Sequence, residues 1–364
     1  MKIQFKRKKV DILVFDEVNK EILVSSILQD FDYDSLETRG KVLVVNFYIL
    51  YRILSGIFGI FKKPTIINKL RELKKIYLVS VIDYISPKIL ITFIDNDPYF
   101  HAICRELNYI EGIAIQNGVR THYNYHDKFN SLIHKKYLIP NYFVHGNHAE
   151  FLYKEYSHEY KNIFVVGSIK LDYFLSQAKN NINKYDLCLI STWAGGEEII
   201  GDYPFSTKNQ YKALLSIKDL VINESHNLVI ALKTNNVAEL NFYKEIFNDK
   251  VTYKMDNNDP FSAYNLCYQS KIILTTYSTL GFEFFAIGKN VVFFNLSGDD
   301  RYTHSIPNTI TTLKNNELSN LVNQMLNEGI DCRYKSKNDV QCIQNKISSY
   351  EVIQEFMNKI LKNK

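Results

Sequence analysis

Residues 271–294 read KIILTTYSTLGFEFFAIGKNVVFF, and the reading of this stretch decides the fold. Ile272–Leu274 is a continuous apolar run that ends on the hydroxyls of Thr275 and Thr276, as a strand buried on both faces does. Ser278 or Thr279 stands where an N-cap belongs, ahead of a run with helical spacing. Gly288 closes that helix, and Lys289-Asn290 turn the chain into a second apolar run, Val291–Phe294. Strand, polar turn, helix, turn and strand together make one βαβ unit of a parallel sheet.

The same alternation extends in both directions. Asp11–Phe15, Ile76–Val81, Ile89–Ile94, Gly112–Ile115 and Tyr142–Val144 read as one series of buried strands. A second series begins at Ile163–Val166 and continues through Leu187–Ser191, Leu228–Leu232, Ile272–Thr275 and Val291–Phe294. Ile67–Lys75, Pro98–Leu107, Lys208–Ser225 and Glu239–Phe247 carry helical spacing between them. Two series predict two α/β domains, and 364 residues suit two cores better than one. The polar stretch Gln177–Tyr185 reads as the linker, with the boundary able to lie some twenty residues earlier. The expected organisation is 1–160, 161–345 and a C-terminal helix within 346–364, where Ile347–Leu361 has helical spacing.

Charge and composition exclude several classes. The net charge of +5 is not a dense basic stripe, so no nucleic-acid partner is expected. The excess gathers at Lys2, Lys6, Arg7, Lys8 and Lys9 and at Lys359, Lys362 and Lys364. Solvated ends and attraction to anionic headgroups both account for it. Five scattered cysteines without a CxxC pair read as reduced thiols of a cytoplasmic protein. No signal peptide is read at the N-terminus. Val42–Phe61 is apolar enough to raise a membrane span, but Asn46, Arg52, Ser55, Gly56 and Gly59 interrupt it. A helix of the N-terminal domain with one face available to a membrane surface fits it better.

Chemistry concentrates in the turns that follow strands, where open α/β sheets collect ligands. Backbone N–H groups at the helix start, with the hydroxyls of Thr276, Ser278 and Thr279, make a neutral cradle for phosphate. Glu283, about one turn into the helix, can accept hydrogen bonds from ribose hydroxyls. A capped βαβ unit without a ligand carries the same signature. Two further turns are Ile94-Asp95-Asn96-Asp97-Pro98 and Gln116-Asn117-Gly118-Val119-Arg120-Thr121-His122. Asp95 and then Asp97 are candidates for a catalytic base or nucleophile. Asp97-Pro98 also reads as an N-cap followed by proline at the first helical position. Gln116, Asn117, Arg120 and His122 are candidates for the acceptor side, with Arg120 able to hold an anion bidentately.

Taken together, FIDND, AIQNGVR, VVGSIKLDYF, ISTWAGG and TTYSTLGFEFFAIGKNVVFFN resemble bacterial surface-polysaccharide glycosyltransferases of the GT-B fold. The relatives in view are the Kdo (3-deoxy-octulosonate) transferases and, more distantly, the CDP-glycerol glycerophosphotransferases. The resemblance spans residues 89–300. It implies two Rossmann-like domains facing a cleft, with the donor on the C-terminal side and the last helix packed back on the N-terminal domain. Ser191, Thr192, Lys233, Thr276, Ser278, Thr279 and Glu283 would hold a nucleotide-sugar donor, with Trp193 beside them. A glycan or lipid-linked acceptor at the membrane face would receive the sugar. The donor is a co-substrate, and no cofactor or metal is expected. The chain departs from the glycerophosphotransferases at Gln116-Asn117-Gly118, where they show His-Gly, and at Lys233-Thr234-Asn235, where they show His-Pro.

His145-Gly146-Asn147-His148 lacks a nearby third ligand and reads as a loop after a strand. His122, His126 and His134 read as surface or supporting residues. Asp299-Asp300-Arg301-Tyr302 follows a strand and falls where it could line the donor site. The sequence has no GxxxxGK[ST], GxGxxG or GxSxG.

Overall fold

The computed structural model describes residues 2–5, 8–38, 42–120, 136–178, 183–193, 207–223, 225–234, 236–248, 251–254, 259–294, 306, 311–312, 315–327 and 340–363. The chain divides into two compact units, Met1–Asp172 with Asn345–Lys364, and Tyr173–Gln344.

The N-terminal unit contains β1 (Lys2–Gln4), β2 (Ile12–Phe15), β3 (Tyr33–Leu36), β4 (Val42–Val44), β5 (Ile89–Thr92), β6 (Glu111–Ile115), β7 (Leu138–Val144) and β8 (Glu159–Val165). β1 and β4 form a two-stranded parallel ribbon, and the others form one parallel sheet in the order β3–β2–β5–β6–β7–β8. The helices are α1 (Lys20–Leu23), α2 (Phe47–Phe61), α3 (Ile66–Ile85), α4 (Pro98–Glu106), α5 (Asn147–Glu155) and α6 (Ile169–Gln177), which crosses the division. β2 and β5 are buried at every position, which is why their sequences run apolar without alternation. Asn46 caps α2 by accepting the Ile49 N–H at 2.9 Å, and Thr65 caps α3 by accepting that of Asn68 at 3.1 Å.

The C-terminal unit contains β9 (Tyr185–Ile190), β10 (Leu228–Ala231), β11 (Thr252–Lys254), β12 (Ser270–Thr275), β13 (Asn290–Phe294) and β14 (Thr311–Thr312). All are parallel, in the order β11–β10–β9–β12–β13–β14. Its helices are α7 (Thr207–Asn223), α8 (Val237–Phe247), α9 (Ser262–Tyr268), α10 (Thr279–Ala286) and α11 (Asn315–Asn327). The order reverses between β9 and β12, so the loops after these two strands diverge and leave a crevice at their carboxyl ends. Gly281 lets α10 lie close on the sheet, since a Cβ there would stand 2.6 Å from Thr275 Cγ2. Gly288 ends α10 at φ +81°, a left-handed position where glycine carries no steric cost.

The last helix, α12 (Ser349–Asn363), belongs to the N-terminal unit. Its first residue donates from N and Oγ to Asp172 Oδ2 at 2.7 and 2.5 Å. Phe356 packs against Phe143 and Phe164, with ring centroids 5.5 and 5.0 Å apart.

The structure departs from the sequence reading at several points. Ile76–Val81 is helix, because α3 runs unbroken from its Thr65 cap to Ile85 and buries Leu78, Val79, Val81, Ile82 and Ile85 in its second half. Ile163–Val166 does not open the second series; Ile163–Val165 closes the first sheet as the end of β8, paired with β7. Val42–Phe61 is a short strand followed by an Asn46-capped helix rather than one helix. The stretch read as a linker begins at the last residue of α6 and ends at the first of β9, inside the C-terminal unit. Among the described residues no helix is long and apolar enough to cross a membrane.

Candidate functional site

A pocket of about 580 Å³ opens at the carboxyl ends of the C-terminal unit's strands. Its wall takes Ile190, Ser191 and Thr192 from the end of β9, Leu232 and Lys233 from β10, and Lys254 from β11. Tyr277, Ser278, Thr279 and Leu280 come from the start of α10, and Ala231, Asp259, Pro260, Ser262, Ala263 and Leu266 supply the rest. The crevice that strand order requires between β9 and β12 is therefore real and roomy. A volume of this size falls in the range of small-molecule sites.

The start of α10 faces this space. Ser278 caps the helix by accepting the Leu280 N–H at 3.3 Å. Aligned peptide dipoles leave positive charge at this helix start. Lys233 and Lys254 are exposed and add cations to the same wall. The electrostatic character suits an anion. Thr276 is buried just behind, and its Oγ1 lies 3.2 Å from Thr192 Oγ1, which ties together the two loops that flank the crevice.

One buried residue organises the opposite wall. Glu239, at N3 of α8, is wholly buried and accepts the N–H groups of Lys233 at 2.8 Å and Thr234 at 2.9 Å. It also accepts the Thr234 hydroxyl at 2.6 Å and the Ser191 hydroxyl at a shorter distance. Tyr243 then donates to Ser191 Oγ at 3.1 Å, and burial pushes its phenol pKa upward, so it stays a donor. The Trp193 N–H closes on the same oxygen at 3.2 Å. A capping-box signal was present, since Asn236 is an N-cap and Glu239 stands three residues on. The carboxylate reaches past the cap to the pocket loop, and sequence reasoning missed that.

Glu283 is not part of the pocket wall. It is buried inside α10 and accepts the Tyr264 hydroxyl at 2.7 Å. Burial first, and then the charge of Glu283, hold the Tyr264 phenol well above its ordinary pKa. Ser191, Thr192, Lys233, Ser278 and Thr279 are thus brought together, Thr276 supports them, and Glu283 faces the core.

The N-terminal strand ends are organised differently. Asp95 is buried and paired with buried Arg120, whose Nε donates to Oδ2 at 2.9 Å and whose Nη2 bonds Oδ1. Asp95 also accepts the Asn117 N–H at 3.2 Å and the Tyr142 hydroxyl at 2.6 Å. Arg120 reaches Asn117 Oδ1 at 2.6 Å, while Gln116 bonds Gly118 O and the His145 N–H, each at 2.8 Å. These bonds join the ends of β5, β6 and β7 through the Asp95 carboxylate. Asp97 caps α4, accepting the N–H groups of Tyr99 at 2.7 Å and Phe100 at 3.3 Å with Pro98 at N1. Burial raises its pKa, and the capping bonds oppose that. His122 and Asp299–Tyr302 lie outside the described residues.

Four imidazoles of this unit are buried, those of His101, His145, His148 and His158. His101 and His158 sandwich the Tyr137 ring at 4.1 and 4.8 Å, and His145 follows β7. Burial pushes His101, His145 and His158 each down to about 4. Among the described residues no group of three or more His, Cys, Asp or Glu side chains could hold a metal ion.

Two parallel sheets, the second in an order that reverses beside the pocket, define an α/β protein of the GT-B class, and solved structures agree. The UDP-GlcNAc 2-epimerase of Neisseria meningitidis, bound to UDP-GlcNAc, is similar over 99% of this chain and 100% of its own, with a TM-score of 0.56 at 15% identity. The wall teichoic acid polymerase TagF is similar over 98% and 90%, at 0.54 and 12%. A glycosyltransferase of Rickettsia africae is similar over 98% and 100%, at 0.50 and 14%. Within that fold, residues 113–309 match the model of a family described as "putative O-antigen biosynthesis protein". The match covers more than half of the chain, and the chain belongs to this family. No protein of curated function matches the sequence significantly.

Proposed function

We propose that this chain is a glycosyltransferase that moves a sugar from a nucleotide-activated donor to a lipopolysaccharide, O-antigen or capsule acceptor. The observation that carries the reading is the pocket at the β9/β12 switch point, with the α10 N-terminus and Lys233 on its wall. In this reading the donor's phosphates lie at the positive end of α10, and Lys233, Ser191 and Thr192 line the same space. Charge builds on the leaving phosphate as the glycosidic bond breaks, and preorganised dipoles stabilise it there without reorganising. Asp95, and Asp97 after it, are the carboxylates offered as base or nucleophile, and each is held by hydrogen bonds, Asp95 to Arg120, Asn117 and Tyr142 and Asp97 in the cap of α4. A CMP-linked acidic sugar such as Kdo is the preferred donor, on the resemblance of the sequence motifs.

A second reading has its own support. The Neisseria enzyme of similar fold holds UDP-GlcNAc, which favours a UDP-sugar 2-epimerase. The two separate cleanly, because an epimerase turns over a UDP-sugar with no acceptor present.

The first experiment is a thermal-shift screen against CMP, CDP, UDP, GDP and their sugar conjugates. A ligand at one hundred times its Kd stabilises the native state by about 2.7 kcal/mol. A shift with one nucleotide class, reduced in Lys233→Ala, supports the pocket and names the donor. Absence of any shift in folded protein overturns both enzymatic readings in favour of a glycan-assembly scaffold.

A further inference from the structure

The N-terminal unit carries an apolar face that nothing in the unit covers. α2 and α3 form a helical hairpin closed by the turn 62–65, with Gly56 of α2 against Ile76 of α3. Along α2, Phe47 is 93% and Phe58 77% exposed, and Leu54 and Phe61 stand on the same side. Ile66, 75% exposed, and Leu70 continue that face onto α3. Their spacing of three, four and seven residues makes it one stripe rather than scattered surface residues. Gly59 faces open space between them.

Charge identifies the occupant. The hairpin, residues 47–85, holds seven lysines and arginines against two acids, Glu72 and Asp83, so it carries as much net positive charge as the +5 of the whole chain. Lys62 and Lys63 sit at the turn, and Lys69 lies 5.9 Å over the Phe61 ring, so cations border the apolar stripe directly. A second copy docking here by two-fold symmetry would oppose one basic face to another. A bilayer with anionic headgroups offers both what the stripe lacks and what the cations need. Length decides the geometry: fifteen residues of α2 extend about 22 Å, short of a hydrocarbon core of about 30 Å.

We propose that the α2–α3 hairpin is a docking surface for an anionic lipid bilayer, on which it lies in the plane of the interface with the Phe47–Leu70 stripe among the acyl chains and the flanking lysines at the headgroups. Nothing in this depends on the reaction catalysed at the C-terminal unit.

Co-sedimentation with phosphatidylcholine vesicles, and with vesicles in which part of the phosphatidylcholine is replaced by phosphatidylglycerol, tests it. The intact chain is expected to partition onto the phosphatidylglycerol vesicles at least tenfold more strongly, and salt should weaken that binding. The double variant Phe47→Ser/Phe58→Ser should lose at least tenfold while keeping its circular dichroism, because both side chains are exposed. Lys62→Glu/Lys63→Glu should lose the preference for phosphatidylglycerol. Failure to bind either vesicle overturns the proposal, as does equal binding by the serine variant. A dimer seen by light scattering and abolished by the serine variant also overturns it, in favour of a second copy on this face.

Discussion

The two units end their sheets in contrasting ways. At the carboxyl ends of β5, β6 and β7 the polar groups are spent on one another: Asp95 on Arg120, Asn117 and Tyr142, and Gln116 on Gly118 and His145. At the ends of β9 and β10 the buried carboxylate of Glu239 instead holds the loops from behind, and the pocket wall presents Lys233, Lys254 and the start of α10. A strand end that satisfies itself fixes loops; one satisfied from behind leaves its front for a ligand. The same architecture supports both, and the direction of the buried carboxylate separates them.

The largest effect should come from breaking the closed cluster. Asp95→Ala leaves Arg120 buried without its partner and is expected to cost about 3–5 kcal/mol in chemical denaturation followed by circular dichroism. A variant that stays fully stable but loses turnover would tie Asp95 to the chemistry and erase the contrast.

Acid should separate the units next. His101, His145 and His158 have folded pKa values near 4, below the 6.5 of an unperturbed imidazole. The unfolded chain therefore binds more protons, and the stability of the N-terminal unit is complete above pH 6.5 and lost as pH falls through about 4. The loss is of order 3 kcal/mol for each of His101 and His145, and smaller for the less enclosed His158. Trp193 is the one tryptophan and reports on the C-terminal unit, so helical signal should fall at a higher pH than its emission changes. Coincident transitions would show that the buried imidazoles do not set acid stability.

Glu239→Ala strands the donors of Lys233, Thr234 and Ser191, at a cost of about 2 kcal/mol. It should also reduce any nucleotide-induced thermal shift, because Lys233 and Ser191 lose their placement. An unchanged nucleotide shift would make the network purely structural. The smallest effect is Ser278→Ala, about 1 kcal/mol for the lost cap, whereas Ser278→Gly should cost only a few tenths. Nucleotide binding weakened in the alanine variant and retained in the glycine variant would tie the pocket to the geometry of the helix start.

Much of this was legible in the residues. The βαβ unit at 271–294, its cap at Ser278 and its stop at Gly288 are local patterns, and the structure keeps them at the same positions. The Asp97-Pro98 cap was equally local. Ile76–Val81 was not, because a short apolar run has no period of its own and only its place inside the long helix Ile66–Ile85 makes it helix. Nor could sequence distinguish Asp95 from Glu239, two acids in polar surroundings near strand ends.

The sequence by itself determined the alternation of strand and helix, the parallel sheets it requires, and the polar turns from which a site had to be drawn. Those follow from periodicity and capping, which act over a few residues. Only the tertiary structure decided which turn stays open: Arg120 folds back onto Asp95 across 25 residues, Glu239 reaches Ser191 across 48, and Tyr264 takes up Glu283 across 19. A buried carboxylate must find donors wherever the chain brings them. That choice is made by packing in three dimensions and leaves no spacing in the sequence to read.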